Sequence, residues 1–276
     1  MDSNLEKIEI QLLLEGVYQH YGYDFRNYAY STIRRRIWHC VKAEGLETIS
    51  ALQEKVLHDA QCIDRLFSNF TIQVTEMFRD PGFFKSFKEK VIPIIRNYPF
   101  IRIWHVGCSS GEEVYSMAIL LYEAGLYSKS ILYATDINER ALQTAKEGAF
   151  PIEKMKTYTS NYQQTGGHRA FSEYYTASGK EAAFHSYLKK NIVFAQHNLV
   201  TDGSFNEFNV IICRNVMIYF NKTLQSRVHK LFYDSLSLEG FLGLGQKEGM
   251  KFTLYEDCYH EIDSREKIYQ KSLIPR

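Results

Sequence analysis

Beyond Pro99, short apolar runs alternate with stretches of helical periodicity, and this alternation limits the possible folds more than any other feature of the chain. Apolar runs separated by helices of this length are typical of βαβ units, whose strands form a parallel sheet. The predicted strands are 101–107, 131–137, 192–196, 209–214 and 241–244, and the predicted helices are 112–124, 139–146 and 222–235. Segments 257–263 and 267–271 fit a terminal antiparallel hairpin. The sequence therefore predicts an α/β fold with a mostly parallel sheet.

The first 75 residues have a different pattern, in which apolar residues recur at helical spacing and no strand-like alternation occurs. Gly22 and Gly45 separate the runs, as glycines do between helices. The runs are Ile8, Leu12, Leu13 and Val17; Ile33, Ile37, Trp38 and Val41; and Ile49, Leu52, Val56 and Leu57. We expect a small all-α domain over residues 1–75.

A linker helix is expected over residues 76–98. Asp80 reads as its N-cap and Pro81 as its first helical residue, a position where proline is common. An apolar stripe follows, formed by Phe83, Phe84, Phe87, Val91, Ile94 and Ile95.

The α/β domain is expected over residues 99–276, with an insertion at 151–190. The insertion is too long for an ordinary strand-to-helix connection. Its aromatic density favours a folded element, such as a small β-subdomain. The aromatic residues are Tyr158, Tyr162, Phe171, Tyr174, Tyr175, Phe184 and Tyr187.

Composition excludes several classes of protein. The chain has 33 Lys and Arg against 32 Asp and Glu, a formal net charge of +1, so neither nucleic acid binding nor attraction to an anionic membrane is indicated. The five cysteines are widely spaced without a CxxC motif, which argues against a disulfide framework or a zinc site. No run is long enough to span a bilayer, and the N-terminus is unlike a secretory signal. We expect a cytoplasmic monomer that holds no metal.

The first candidate site follows the first predicted strand, where Gly107 to Gly111 form a turn of small residues before a helix. Such a turn lets a ligand approach the backbone and the free N–H groups of the helix. Asp136 ends the next strand, 29 residues after Gly107, where doubly wound folds place a carboxylate that binds ribose hydroxyls. Together these features predict a nucleoside pocket. Taken singly, they also fit a tight turn and a helix N-cap.

Charge narrows the choice of ligand for this pocket. The turn is not a GxGxxG motif, no lysine follows it, and Glu112 and Glu113 stand where a pyrophosphate would need positive or neutral neighbours. NAD and ATP are therefore disfavoured. S-adenosylmethionine (SAM) fits better, because it has no phosphate and carries a sulfonium and an ammonium group.

Polar residues also end the strand at 209–214, within the string CRNVMIYF of residues 213–220. Ligands bind at this end of strands in open α/β sheets. Together with CSSGEE at 108–113 and TIQVTEMFRD at 71–80, the string resembles the CheR-type chemotaxis receptor glutamate methyltransferases. The resemblance covers essentially the whole chain. It implies a helical N-terminal domain, a Rossmann-like SAM methyltransferase core and a small β-insertion.

The resemblance also implies roles for individual residues. Arg214 and Tyr219 would position the substrate beside the methyl group, although Arg214 also fits a surface ion pair and Tyr219 a core aromatic. The implied cofactor contacts are Gln73, Thr75, Arg79, Gly107, Glu113, Asp136, Asn198, Leu199, Arg214 and Asn215. The chain departs from the usual family residues at Gln73 (often Asn), Val114 (commonly Pro), and Gln246 and Lys247 (frequently His and Ser).

The implied reaction is SAM-dependent methylation of glutamate side chains on chemotaxis receptors, giving glutamyl methyl esters for sensory adaptation and S-adenosylhomocysteine (SAH). Arg34, Arg35 and Arg36 would dock on the acidic helical bundle of the receptor, although a solvated charged face fits equally well. Binding of a receptor tail peptide to the insertion stays open. Because of the departures above, a SAM- or SAH-binding regulatory or scaffold module without turnover is the alternative. A nicotinamide-dependent oxidoreductase is disfavoured by the missing GxGxxG.

Overall fold

The computed structural model describes residues 3–71 and 75–272. Its contacts divide the chain into two compact units, and each is described by itself. The helical unit contains the residues up to 72 and Tyr219–Arg227, and the α/β unit contains residues 73–218 and 228–276.

The helical unit begins with four helices in its described residues: α1 (Ser3–Tyr21), α2 (Tyr30–Ala43), α3 (Ile49–His58) and α4 (Ala60–Phe70). Thr48 caps α3 and Asp59 caps α4, because short polar side chains accept the free N–H groups of a first helical turn. The core between the helices includes Ile10, Leu13, Val17, Phe25, Ile33, Ile37, Val41, Leu52, Val56, Leu66 and Phe70.

The buried face of α1 differs from the predicted one. Ile8 and Leu12 are 45% and 54% exposed, whereas the carboxylates of Glu6 and Glu9 are buried. Each carboxylate accepts hydrogen bonds from side chains of α2 or α3. A carboxylate can be buried only when it finds such partners, and these partners come from distant parts of the chain.

The α/β unit is built on strands β1 (Ile101–Val106), β2 (Ser130–Asp136), β6 (Ile192–Gln196), β7 (Phe208–Cys213), β8 (Leu236–Leu244), β9 (Tyr259–Asp263) and β10 (Ile268–Lys271). In the described residues they form one sheet in the order β6-β2-β1-β7-β8-β10-β9. The first five strands of this order are parallel, and β10 pairs antiparallel with β8 and β9. The predicted mostly parallel sheet with a terminal hairpin is confirmed.

Helices α7 (Glu112–Glu123), α8 (Glu139–Glu147) and α11 (Lys222–Ser235) follow β1, β2 and β7 in the chain. The carboxyl ends of these three parallel strands therefore lie at one edge of the sheet, where open α/β folds bind ligands.

The predicted linker helix is interrupted. Helices α5 (Pro81–Ser86) and α6 (Ile92–Ile95) flank a π-helical turn at Phe87–Val91. A π turn adds a residue to the repeat and rotates the face that follows. As a result Ile92 is buried, while Ile94, which the stripe placed inside, is 38% exposed.

The insertion contains a small antiparallel sheet, as predicted, but its first half is helical. Helix α9 (Met155–Gln164) precedes β4 (Tyr175–Ser178) and β5 (Glu181–Phe184). Together with β3 (Ala149–Pro151), the strands have the order β3-β5-β4. The short helix α10 (Ser186–Lys189) then leads to β6.

The aromatic side chains of the insertion belong mainly to the core of the α/β unit. Glu123, the last residue of α7, accepts hydrogen bonds from the hydroxyls of Tyr162 and Tyr174. The aromatic excess of this segment is therefore explained by packing, with tyrosines whose hydroxyl groups bind a half-buried carboxylate.

Candidate active site

The turn after β1 packs so closely that two of its positions require glycine. Gly107 and Gly111 have φ values of 67° and 93°, a region that residues with side chains rarely adopt. A Cβ atom on Gly107 would lie 2.5 Å from Cγ2 of Val216, and one on Gly111 would lie 2.9 Å from Cβ of Ala145. The turn thus presents bare backbone at the start of α7.

Asp136, at the end of β2, holds this turn. Its Oδ2 accepts the N–H of Ser109 at 2.8 Å, and its Oδ1 accepts the N–H of Asn138 at 2.9 Å. The N-cap of α8 is Asn138, whose side chain accepts the N–H of Ala141, so the helix-cap alternative for Asp136 is wrong. Burial raises the pKa of the Asp136 carboxyl. Because a carboxylate can accept about four hydrogen bonds, Asp136 can also bind hydroxyl groups of a ligand.

Glu113, in the first turn of α7, joins the buried side chains of His105 and Arg214. Its Oε1 lies 3.2 Å from Nδ1 of His105, and its Oε2 accepts a hydrogen bond from Nη1 of Arg214 at 3.0 Å. Burial alone would raise the pKa of this carboxyl. The hydrogen bond with His105 and the charge of Arg214 outweigh that effect and hold the pKa of Glu113 below its ordinary value.

Arg214 directly follows β7 and is buried, so the alternative of a surface ion pair is wrong. Its side chain is 1% exposed. Besides Glu113, it donates to Oδ2 of Asp80 at 2.7 Å and to the carbonyl oxygen of Arg79 at 3.2 Å, and its guanidinium lies 4.3 Å from the ring centre of Phe83. Asp80 is the N-cap residue of α5, as predicted, but its side chain makes no capping bond and pairs with Arg214 instead.

The described charges near the glycine turn are mainly negative. Glu113 and Asp80 share one guanidinium, and Asp136 accepts the backbone N–H groups of Ser109 and Asn138. Three carboxylates against one guanidinium favour a cationic ligand and disfavour a pyrophosphate.

Two family models together match most of the chain. The family model described as "CheR methyltransferase, all-alpha domain" matches residues 8–71, and the one described as "CheR methyltransferase, SAM binding domain" matches residues 73–267. The chain belongs to the CheR methyltransferase family.

The relatives that this chain resembles are named as methyltransferases. A Pseudomonas putida protein named "Putative methyltransferase Cher3" is 48% identical over 96% of this chain and 97% of its own length. The chemotaxis protein methyltransferase of Listeria monocytogenes is 28% identical over 82% of this chain and 84% of its own. Chemotaxis protein methyltransferase 2 of Pseudomonas aeruginosa is 31% identical over 67% of this chain and 66% of its own. These names give no support to a binding module without turnover.

The cofactor of this CheR methyltransferase is SAM, and the residues of the turn fit it. Gly107 carries no side chain, so a ligand can approach its backbone closely. Asp136 has acceptor capacity for the ribose hydroxyls, and ionised Glu113 suits a cationic amino group. The contacts of Gly107, Glu113 and Asp136 with SAM stay predictions.

The two residues predicted to flank the adenine, Asn198 and Leu199, follow β6. The N–H of His197 donates to the carbonyl oxygen of Asp136 at 3.2 Å, which brings this segment to the end of β2. Leu199 is buried. The side chain of Asn198 accepts the N–H of Val200 at 2.9 Å and therefore shapes the turn itself. An adenine contact for both residues stays a prediction.

Of the three linker residues predicted to contact the cofactor, the structure describes Thr75 and Arg79. Gln73 lies outside the described residues. Thr75 and Arg79 are half-buried, and the carbonyl oxygen of Arg79 belongs to the network around Arg214. The cofactor roles of these residues stay predictions.

Glu112 has a role that the sequence did not reveal. Its carboxylate is buried and accepts hydrogen bonds from Oγ of Ser110 at 2.7 Å and from the hydroxyl of Tyr158 at 3.1 Å. Burial raises its pKa. Successive helical residues point about 100° apart, so Glu112 binds the insertion while Glu113 binds Arg214.

Tyr219 lies in the helical unit and is half-buried. Its ring centre lies 5.0 Å from Cζ of Arg36, and its carbonyl oxygen accepts the N–H of Ala29 at 2.8 Å. The ring therefore packs under a guanidinium instead of filling an apolar core.

The docking role expected for Arg36 is not supported. Its side chain is buried and donates to the carbonyl oxygens of Asn69 at 2.7 Å and Phe70 at 2.6 Å, which satisfies the free carbonyl groups at the end of α4. Burial lowers the pKa of this guanidinium. Arg34 is exposed but ion-paired with a glutamate of α1, and Arg35 is exposed. Arg35 is thus the best placed of the three for a partner.

Cys108 and Cys213 are buried, which disfavours a nucleophilic role for the motif cysteines. Burial raises the pKa of the thiols of Cys108 and Cys213 well above the ordinary value, and the thiolate is the reactive form. In the two described ranges, no group of three or more His, Cys, Asp or Glu residues could hold a metal ion. No helix there is long and apolar enough to cross a membrane.

Proposed function

We propose that this CheR methyltransferase methylates glutamate side chains of a chemotaxis receptor and so produces glutamyl methyl esters for sensory adaptation. The observation that carries the proposal is the family match over both the helical and the α/β parts of the chain. The relatives named chemotaxis protein methyltransferase support the same class of substrate.

The chemistry makes few demands on the protein. A glutamate carboxylate has an ordinary pKa of about 4.3, so it is ionised at neutral pH and needs no general base. SAM, when bound, supplies a methyl group on a positively charged sulfonium. The residues of the chain have to align the carboxylate with that group and exclude water, because opposite charges neutralise each other as the reaction proceeds.

Arg214 is the residue that we assign to the substrate carboxylate. Its Nε–H is buried and has no hydrogen-bond partner in the described chain, which leaves a charge-assisted donor for the substrate. Asp80 and Glu113 fix the guanidinium on its other side. For Tyr219 we propose a hydrogen bond from the phenol to the substrate carboxylate, as the CheR resemblance implies.

Two surfaces are proposed for the receptor. Arg35, supported by Arg34, would meet the acidic helices that carry the methylated glutamates. A receptor tail peptide would add to β4, an edge strand of the insertion sheet whose residues are mainly exposed, by strand addition. We expect the enzyme to act in the cytoplasm as a monomer.

Transfer of a radiolabelled methyl group from SAM to membranes of the same cell tests the proposal. The wild-type protein should label a receptor, and base should release the label, because carboxyl methyl esters are base-labile. The variant Tyr219→Phe should label more slowly while calorimetry still detects SAM binding. A label that resists base, or no label with the wild-type protein, would contradict methylation of receptor glutamates.

A further inference from the structure

Glu248 is a buried carboxylate that none of the roles above uses. It is 9% exposed and lies in the turn after β8. Its N–H donates to the carbonyl oxygen of Gly245 at 2.8 Å, and its Oε2 accepts the N–H of Gly245 at 2.7 Å. The turn is closed in this way, with Gln246 and Lys247 at its exposed tip.

The same carboxylate binds the backbone that follows Arg214. Oε2 accepts the N–H of Asn215 at 3.0 Å, and Oε1 accepts the N–H groups of Val216 at 2.9 Å and Ile218 at 3.3 Å. Asn215 has a left-handed φ of 62°, a conformation that turns successive N–H groups toward one anion. We call this arrangement, Glu248 with the N–H groups of Gly245 and residues 215–218, the Glu248 clamp.

The clamped segment connects both sides of the methyl-transfer site. Arg214 precedes it, and Asn215 is one of the predicted cofactor contacts. Val216 packs on the glycine turn so closely that a Cβ on Gly107 would lie 2.5 Å from its Cγ2. A shift of residues 215–218 would therefore move Arg214 and loosen the glycine turn together.

We propose that Glu248 is a positioning residue for methyl transfer, whose carboxylate fixes the backbone at 215–218 and through it Arg214 and the glycine turn. The inference rests on the proposed function. The charge is needed because each carboxylate oxygen can accept two hydrogen bonds, and here each accepts at least two backbone N–H groups. A glutamine has one acceptor oxygen, so its NH2 group would face two of these donors.

Two variants disturb the Glu248 clamp in different ways. Glu248→Gln keeps the size of the side chain but removes one acceptor oxygen. Gly245→Ala keeps the charge but places a Cβ 2.6 Å from Oε2 of Glu248 and 2.9 Å from the nitrogen of Asn215. The matched controls are Glu123→Gln, which alters another hydrogen-bonded carboxylate of the α/β unit, and Gly249→Ala, whose Cβ would meet no atom closer than 3.6 Å.

The kcat for receptor methylation at saturating SAM and the Kd for SAM are measured with the full-length variants. Both clamp variants should lower kcat by about 10- to 100-fold, because small misplacements of reacting groups are costly, and should raise the Kd for SAM. The two controls, compared at equal folded fraction, should keep both values. Wild-type kcat and Kd in the clamp variants, or losses equal to those of the controls, would overturn the role of Glu248.

The Kd measurement needs no receptor, so failure of this inference is distinguishable from failure of the proposed function. A wild-type protein that binds SAM but labels no receptor would overturn the proposed substrate. In that case the Kd values of Glu248→Gln and Gly245→Ala still decide whether the clamp positions the glycine turn.

Discussion

Nη1 of Arg214 donates to Oε2 of Glu113 at 3.0 Å, so that the residue assigned to the substrate and the residue assigned to SAM form an ion pair whose guanidinium is buried. The pair joins the end of β7 to the first turn of α7. Arg214 also holds Asp80, and loss of its guanidinium would leave two carboxylates without their cation. Changes at Arg214 should therefore affect the cofactor and the fold as well as the substrate.

Replacing Arg214 with methionine should destabilise the protein by about 3 kcal/mol, because it breaks a buried pair from one side, and should weaken SAM binding. The double variant Arg214→Met with Glu113→Gln should lose less free energy of unfolding than the two single variants added together. The difference, which is the coupling energy of the pair, should be about 1–3 kcal/mol. Denaturant unfolding and SAM calorimetry of the four proteins measure these quantities. Additive losses would show that the pair does not couple the two sites.

Alanine at Gly107 should abolish detectable SAM binding and lower stability by about 2 kcal/mol. Its Cβ would overlap Val216, and the φ of 67° is unfavourable for a residue with a side chain. Gly203→Ala is the matched control, because no atom lies within 4 Å of its Cβ position. Thermal unfolding and calorimetric titration compare the two variants. The close packing of this turn is refuted if both bind SAM equally well.

Arg35 and Arg36 are adjacent, but their substitutions should affect different properties of the protein, namely receptor methylation for Arg35 and stability for Arg36. Arg35→Glu should slow receptor methylation, more so at low salt where surface charges are less screened, without lowering the melting temperature. Arg36→Met should lower stability by about 2 kcal/mol, since two carbonyl oxygens at the end of α4, that of Phe70 in a buried bond, lose their donor. The melting temperatures and the kcat/KM values on receptor membranes check both expectations. Slower receptor methylation by Arg36→Met, with an unchanged melting temperature, would restore the docking role for Arg36.

The elements that the sequence predicts correctly depend on local signals. Apolar runs and helical periodicity give the strands and helices of the α/β unit, because a buried parallel strand and an amphipathic helix each have their own pattern. The glycine turn and Asp136 are recognisable for the same reason. The turn appears in the sequence as a run of small residues, and Asp136 appears as a carboxylate at the end of the next strand.

The features that the sequence does not predict depend on distant partners. The side chain of Asp80 pairs with Arg214, 134 residues later in the chain, and makes no capping bond to its own helix. Glu248 binds the N–H of Val216, which lies 32 residues earlier. Glu6 and Glu9 are buried only because other helices supply donors. Propensity and periodicity describe one segment at a time, and they assign such carboxylates to a cap or to solvent.

His229, on α11, is a buried histidine whose protonation should govern the stability of the fold at mildly acidic pH. It is 3% exposed, and its Nδ1 has no hydrogen-bond partner in the described chain. Burial lowers the pKa of His229 from 6.5 to about 4, because the charged form would lose its hydration without a compensating partner.

A histidine whose pKa is depressed in the folded state binds a proton more readily when the chain unfolds. Its neutral form therefore supports the fold fully above pH 6.5, and this support is lost as the pH falls from 6.5 toward about 4. The loss should reach about 3 kcal/mol, from 1.36 kcal/mol for each pKa unit. His229→Gln should remove this part of the pH dependence, whereas the exposed His39→Gln should keep it. Unfolding free energies measured by denaturant between these pH values test the prediction, and a stability difference between wild type and His229→Gln that stays constant with pH would contradict it.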